Sequence, residues 1–151
     1  MMKFPCLLGV SILLLTRSSE SKKFTLCEFA RLLATEYSTP ADTPLDLLNW
    51  ICLAYHESAL DTAATNNNTN GSRDYGIFQI NNDFWCDDDR GTNDCSVACL
   101  QLLNPNISES VKCARKIFAR HGFEAWYGWQ QHCKGKSEHQ LMKKYFNGCV
   151  L

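Results

Sequence analysis

Two carboxylates, Glu57 and Asp74, stand out because their surroundings along the chain differ so much. Glu57 follows Trp50 by seven positions within a helical pattern, and at 100° per residue the two share a bearing to within about 20°. Leu53 and Ala54 lie near the same side, so the Glu57 carboxyl projects along an apolar face. Lost hydration there favours the protonated form and raises the pKa, as a general acid working near neutral pH requires. Asp74 comes seventeen residues later, just past Asn70-Gly71. Its neighbours Asn66, Asn67, Asn68, Asn70 and Ser72 can hydrogen-bond a carboxylate and keep it ionised. One protonated and one charged carboxyl is the pairing that glycosidic cleavage uses. Taken singly, each acid also has a plain structural reading: Glu57 as a helix-end glutamate turned to solvent, Asp74 as support for a turn.

Several elements must hold these two acids. Cys27 to Tyr37 reads as a first helix, with Phe29, Leu32, Leu33 and Tyr37 at helical spacing. After the loop 39–43, Thr43 can cap a second helix with Pro44 at its first position, running to about Ser58 and carrying Glu57. Asn70-Gly71 marks a hairpin, followed by a strand from Tyr75 to Ile80. Cysteine-rich loops fill 82–104. Asn106, with Glu109 three residues on, caps a helix whose apolar side is Val111, Ala114, Ile117 and Phe118. Gly122 ends that helix, and Phe123 to Gln130 forms a short aromatic helical segment. The pattern implies an α+β fold, mainly helical with one small antiparallel sheet, and a ligand cleft between the two parts.

The chain of 151 residues opens with a different texture. Lys3, an apolar run from Leu7 to Leu15 and small residues at Ser19 and Ser21 read as a signal peptide over 1–21, too short to span a membrane. Residues 22–151 then form one domain, expected to be secreted, extracellular and monomeric. Removing the leader takes away Lys3, Arg17 and Glu20 and leaves the domain slightly acidic, against −1 for the whole chain. Such a balance argues against nucleic-acid binding and against charge-driven membrane lysis. Of nine cysteines, Cys6 lies in the leader. The other eight are Cys27, Cys52, Cys86, Cys95, Cys99, Cys113, Cys133 and Cys149, an even set that implies four disulfides. Their count permits about a hundred pairings, so it does not give the connectivity. Zinc fails as an alternative on spacing, because no C-x-x-C or H-x-x-x-H pair occurs.

From Glu57-Ser58-Ala59-Leu60 through Asn68-Thr69-Asn70-Gly71-Ser72-Arg73-Asp74-Tyr75-Gly76-Ile77-Phe78-Gln79-Ile80-Asn81, the sequence closely resembles the active-site stretch of C-type (chicken-type) lysozymes. The resemblance extends from Cys27 to Cys149. It includes Asn49-Trp50, Trp85-Cys86, Cys113-Ala114-Arg115-Lys116-Ile117 and Ala125-Trp126-Tyr127-Gly128-Trp129, the last in the wording of the arthropod branch. It implies the pairs Cys27–Cys149, Cys52–Cys133, Cys86–Cys99 and Cys95–Cys113. It also implies hydrolysis of bacterial peptidoglycan without a cofactor. Glu57 would be the acid that protonates the leaving oxygen, and Asp74 the nucleophile or electrostatic stabiliser across the cleft. Trp126 would pack beside Glu57, and Gln79, Asn81, Trp85 and Trp126 would line the sugar site.

Some residues depart from the family pattern. Phe84 stands where many relatives carry Trp or Tyr, and the loop after Cys86 is shorter and holds Asp87-Asp88-Asp89. The segment Arg120-His121-Gly122-Phe123 lacks an acidic residue found in some vertebrate members. These differences bear on substrate preference rather than on the chemistry. The aspartate run reads as a solvated loop, since Ala98 falls where an EF-hand needs its glutamate. Ser108 to Lys112 lacks the aspartates of calcium-binding relatives, so no metal is expected. Asn67-Asn68-Thr69 and Asn106-Ile107-Ser108 are glycosylation sequons. The rival reading is a non-catalytic sugar-binding or regulatory member, as α-lactalbumin is. Loss of a carboxylate would mark it, and both are present. Low basicity fits digestion of bacteria somewhat better than defence, because strongly basic members are drawn to anionic walls.

Overall fold

Local capping chemistry sets where the helices begin. The computed structural model describes residues 21–146 and 148–149, so the expected leader, apart from Ser21, lies outside the described residues. Helix α1, Leu26–Leu32, starts at a capping box in which Thr25 Oγ1 accepts the Glu28 N–H and Glu28 Oε2 accepts the Thr25 N–H. A wider π-type turn, Leu33–Tyr37, continues it to the expected end. Helix α2, Pro44–Ser58, begins at a second box between Thr43 and Asp46, with Pro44 in the first turn, where a missing N–H costs nothing. It stops where Ala59 and Leu60 both turn left-handed (φ 51° and 64°).

The sheet has three short antiparallel strands in sequence order: β1 Thr65–Asn67, β2 Arg73–Tyr75 and β3 Ile80–Asn81. Between β1 and β2 the Asn68 N–H donates to the Ser72 carbonyl, and Gly71 takes the left-handed position (φ 83°) of the loop. The continuous strand expected from Tyr75 to Ile80 is not formed. Gly76 (φ 75°) and Gln79 (φ 47°) fold the chain into a turn closed by the Gln79 N–H on the Gly76 carbonyl, and this creates β3. A Cβ on Gly76 would sit 2.1 Å from the Leu102 carbonyl oxygen, so only glycine fits there.

A 3₁₀ turn at Cys99–Leu103 leads to α3, Ser108–His121. Asn106 Oδ1 accepts the Ser108 N–H, as a capping residue would, but Ile107 occupies the N-cap position and Glu109 pairs with Lys112 instead. Gly122 ends α3 at φ 64°. The expected aromatic helix over 123–130 is in fact two pieces, a 3₁₀ turn at Gly122–Ala125 and α4 at Tyr127–His132. They are parted by Trp126 in an extended conformation (φ −111°, ψ 122°). Helix α5, Glu138–Tyr145, was not anticipated; its own signal is the Ser137/Gln140 capping box.

Trp50 of α2 forms the hub of the core, its ring 5.8 Å from Phe78, 5.3 Å from Phe118, 4.9 Å from Phe123 and 5.7 Å from Trp126. Four disulfides staple the domain: Cys27–Cys149, Cys52–Cys133, Cys86–Cys99 and Cys95–Cys113. The second ties α2 to the end of α4, the two elements that meet behind Glu57. Among the described residues no helix is long and apolar enough to cross a membrane.

Candidate active site

Glu57 lies in the last turn of α2, and Asp74 lies in the middle strand of the sheet. The turn between β2 and β3 locks these two elements together. The Ser58 hydroxyl donates to the Ile77 carbonyl at 2.8 Å, and the Trp126 indole N–H donates to the Phe78 carbonyl at 2.9 Å. Gln79 Nε2 reaches the carbonyls of Gly76 (2.8 Å) and Ala64 (3.1 Å). Helix end, sheet and aromatic segment thus converge on one four-residue turn.

Between them opens a cleft of about 270 Å³ lined by Glu57, Asp74, Gln79, Ile80, Asn81, Trp85, Ile117, Ala125, Trp126 and Tyr127. All six residues singled out as catalytic or sugar-binding in the sequence border this one space. The half-buried Glu57 carboxyl accepts the Gly128 N–H at 2.8 Å. Burial is the chief influence on its pKa and pushes it up; the Gly128 N–H opposes this by favouring the charged form, and the negative charge of Asp74 adds a smaller upward push.

Asp74 sits in a contrasting environment. Register places it directly opposite Asn66 on β1 and Asn81 on β3. Asn81 Nδ2 donates to Asp74 Oδ1 at 2.7 Å, and Asn68 Nδ2 donates to Oδ2 at 2.9 Å. The Ser72 hydroxyl oxygen accepts from the same two amides. Each carboxylate oxygen thus has its own amide donor. Asn81, anticipated only as a sugar contact, is a direct hydrogen-bond partner of the aspartate. Gln79 spends its amide on the backbone, and Trp126 is only 5% exposed, its N–H already engaged.

Past Trp85 and Ala125 a second cavity of about 550 Å³ continues the cleft, lined also by Phe84, Thr92, Asp94, Arg120, His121 and Glu124. Phe84 is 61% exposed there. Trp85 is held in place, with the Arg120 guanidinium 5.2 Å from its ring and His121 meeting it edge-on at 5.8 Å. The acidic loop is more engaged than the expected solvated run, because Asp88 accepts hydrogen bonds from Tyr75 Oη (2.9 Å) and Asn82 Nδ2 (2.7 Å). Among the described residues no group of three or more His, Cys, Asp or Glu is placed to hold a metal ion. Sequence reasoning did not find the Gly128 donor or Tyr127 on the cleft wall. A backbone N–H has no residue signature, and an exposed tyrosine at a helix start carries no positional signal.

A half-buried glutamate and an amide-held aspartate lining one cleft of a disulfide-stapled α+β domain are the parts that a two-carboxylate glycosidase uses. The model of the C-type lysozyme/alpha-lactalbumin family matches residues 22–145, and the chain belongs to that family. It is 53% identical to lysozyme c-1 of Anopheles gambiae over 118 residues, covering 78% of this chain and 81% of that one. It is 44% identical to the lysozyme of Bombyx mori over 126 residues, covering 83% and 89%. The crystal structure of a lysozyme from Litopenaeus vannamei superposes with a TM-score of 0.73 at 41% identity, covering 83% of this chain and 98% of that one. These relatives bear out the likeness to arthropod lysozymes and make the chain a glycoside hydrolase of the lysozyme kind. Lysozymes are the standard illustration of two carboxyls given different tasks by their surroundings.

Proposed function

We propose that the protein cleaves the β-1,4 bond between N-acetylmuramic acid and N-acetylglucosamine in bacterial peptidoglycan, with retention of anomeric configuration. The observation that carries this reading is the contrast between the two acids of the cleft. Burial holds Glu57 toward its protonated form, while two amides donate to Asp74. Glu57 gives its proton to the glycosidic oxygen as the C1–O bond breaks, and the leaving sugar departs as the alcohol. Asp74 meets the positive charge developing at C1, as nucleophile or as electrostatic partner. Water then attacks C1, displacing the Asp74 carboxylate where it has bonded there, and gives its proton to Glu57, which restores both carboxyls to their starting state. The cleft of about 270 Å³ and its extension past Trp85 offer a strip of sugar-sized space, walled in part by aromatic faces that suit the apolar C–H faces of sugars.

The leader read over 1–21 and the four disulfides support a secreted, extracellular enzyme acting as a monomer in antibacterial defence or in digestion of bacteria. Products from purified peptidoglycan test the bond and the stereochemistry together. Mass spectrometry should find new reducing ends at N-acetylmuramic acid, and NMR during the reaction should show the β-anomer formed first. Reducing ends at N-acetylglucosamine, or an α-anomer formed first, would overturn the assignment.

A further inference from the structure

Tyr127 is 74% exposed, yet it belongs to the wall of the cleft that holds Glu57 and Asp74. The other large aromatic residues of that wall are committed elsewhere: Trp126 is buried with its N–H on the Phe78 carbonyl, and Trp85 is held by Arg120 and His121. The Tyr127 side chain has no hydrogen-bond, ring or cation partner among the described residues. It opens α4 and directly precedes Gly128, whose N–H grips Glu57 Oε1, so backbone connectivity fixes its place beside the acid.

We propose that Tyr127 is the stacking platform for the sugar that leaves with the proton from Glu57. This rests on the assignment of Glu57 as acid, and it extends that assignment to the far side of the scissile bond. Asp74, held on the sheet by Asn68 and Asn81, must face C1 of the sugar that stays. A glycan lying along the cleft between the two acids has one arm in the extension past Trp85, which takes the sugars that stay. The departing sugar then falls on the part of the cleft wall that Tyr127 supplies. The second cavity, which runs past Phe84 and Trp85, does not include Tyr127. Phe84 and Trp85 line the extension of the cleft, and Tyr127 lines only the part that holds the two acids. The tyrosine ring offers its face to the C–H face of a sugar, and its hydroxyl is free to bond a sugar hydroxyl or N-acetyl group.

The test compares two substrates that share their donor sugars: a peptidoglycan glycan fragment with the peptides removed, and the β-glycosyl fluoride of the same donor sugars. Fluoride is too small to reach Tyr127 and leaves without a proton from Glu57. Tyr127→Ala should lower kcat/KM on the glycan about fivefold to tenfold, the effect of one aromatic stacking contact, and leave fluoride hydrolysis at the parent's rate. Tyr127→Phe should keep most of the glycan rate. Because Tyr127 is 74% exposed, both variants should fold as the parent does. Unchanged glycan cleavage in Tyr127→Ala, or an equal loss on both substrates, would overturn the proposal. Glu57→Gln, run alongside, should lose glycan cleavage but still release fluoride in a first turnover, because departure of fluoride needs no acid whereas the later attack of water still uses Glu57. Should it cleave the glycan at the parent's rate, the underlying assignment fails, a result distinct from a failure of Tyr127 alone.

Discussion

Replacing Trp126 with alanine tests how the fold prepares its acid. The indole is 5% exposed, meets Trp50 edge-on at 5.7 Å and donates to the Phe78 carbonyl at 2.9 Å. Truncating a buried tryptophan costs about 3–5 kcal/mol through lost burial and the cavity left behind. Leaving the Phe78 carbonyl without its donor brings the loss to the upper end of that range. For a domain of this size the melting temperature should fall by roughly 10–20 °C. The four disulfides should still hold the variant folded at room temperature. Water admitted beside Glu57 weakens the burial that chiefly raises its pKa, so the pKa should move down toward the ordinary carboxylate range. The acid then loses its proton at lower pH, and the alkaline limb of the activity profile should shift down. Thermal melts by near-ultraviolet circular dichroism and clearing rates on suspended bacteria, scanned from pH 4 to 9, read both effects. Trp126→Phe, which keeps most of the packing, should move both measurements less. A folded Trp126→Ala variant with the parent's alkaline limb would refute the idea that this ring dries the acid.

Three further outcomes follow from the same geometry. His56 stacks on His132 at 4.0 Å and its Nε2 bonds the Tyr145 hydroxyl at 2.7 Å; burial, then the charges of His132 and Lys144, lower its pKa to about 4. The folded state resists protonating His56, so stability should fall as pH drops from about 6.5 to about 4, by about 1 kcal/mol after solvent screening of the partly exposed ring. His56→Phe should flatten the melting temperature across that window, and an unchanged slope would place the effect on other groups. Asn81→Ala removes one of the two amide donors to Asp74 and should lower kcat about tenfold with little change in KM, whereas a change confined to KM would make Asn81 a sugar contact only. Because burial raises the Glu57 pKa, stability is complete below the ordinary carboxylate range and declines as pH rises through the raised value. Glu57→Gln should therefore melt higher than the parent at pH 7 and equally at pH 3; equal melting at both would argue against a destabilised acid.

The parts of the fold that local chemistry dictates were legible in the sequence. Thr43 and Pro44 marked the start of α2, and Gly122 marked the end of α3. The seven-residue step from Trp50 to Glu57 put the acid on the cleft side of its helix. What was not legible depends on partners remote in sequence. Gly76 breaks the expected strand because Leu102 presses its carbonyl against it, and Trp126 interrupts the aromatic helix where its indole bonds Phe78. Once β3 stands apart from β2, register sets Asn81 opposite Asp74, a pairing hidden while 75–80 reads as one strand. Both acids and the four candidate sugar contacts share one cleft, whereas the donor to Glu57, the Gly128 N–H, had no side chain by which to be recognised.

Everything proposed for this cleft depends on Glu57 supplying the proton that breaks the glycosidic bond. The most direct measurement is the steady-state rate of peptidoglycan cleavage by Glu57→Gln, alongside its affinity for an uncleaved glycan fragment. The amide keeps the size of the side chain and can still accept the Gly128 N–H, but it has no proton to give. The rate should fall by at least ~10²–10⁴ with affinity retained. Cleavage at the parent's rate by the folded variant would contradict this role of Glu57.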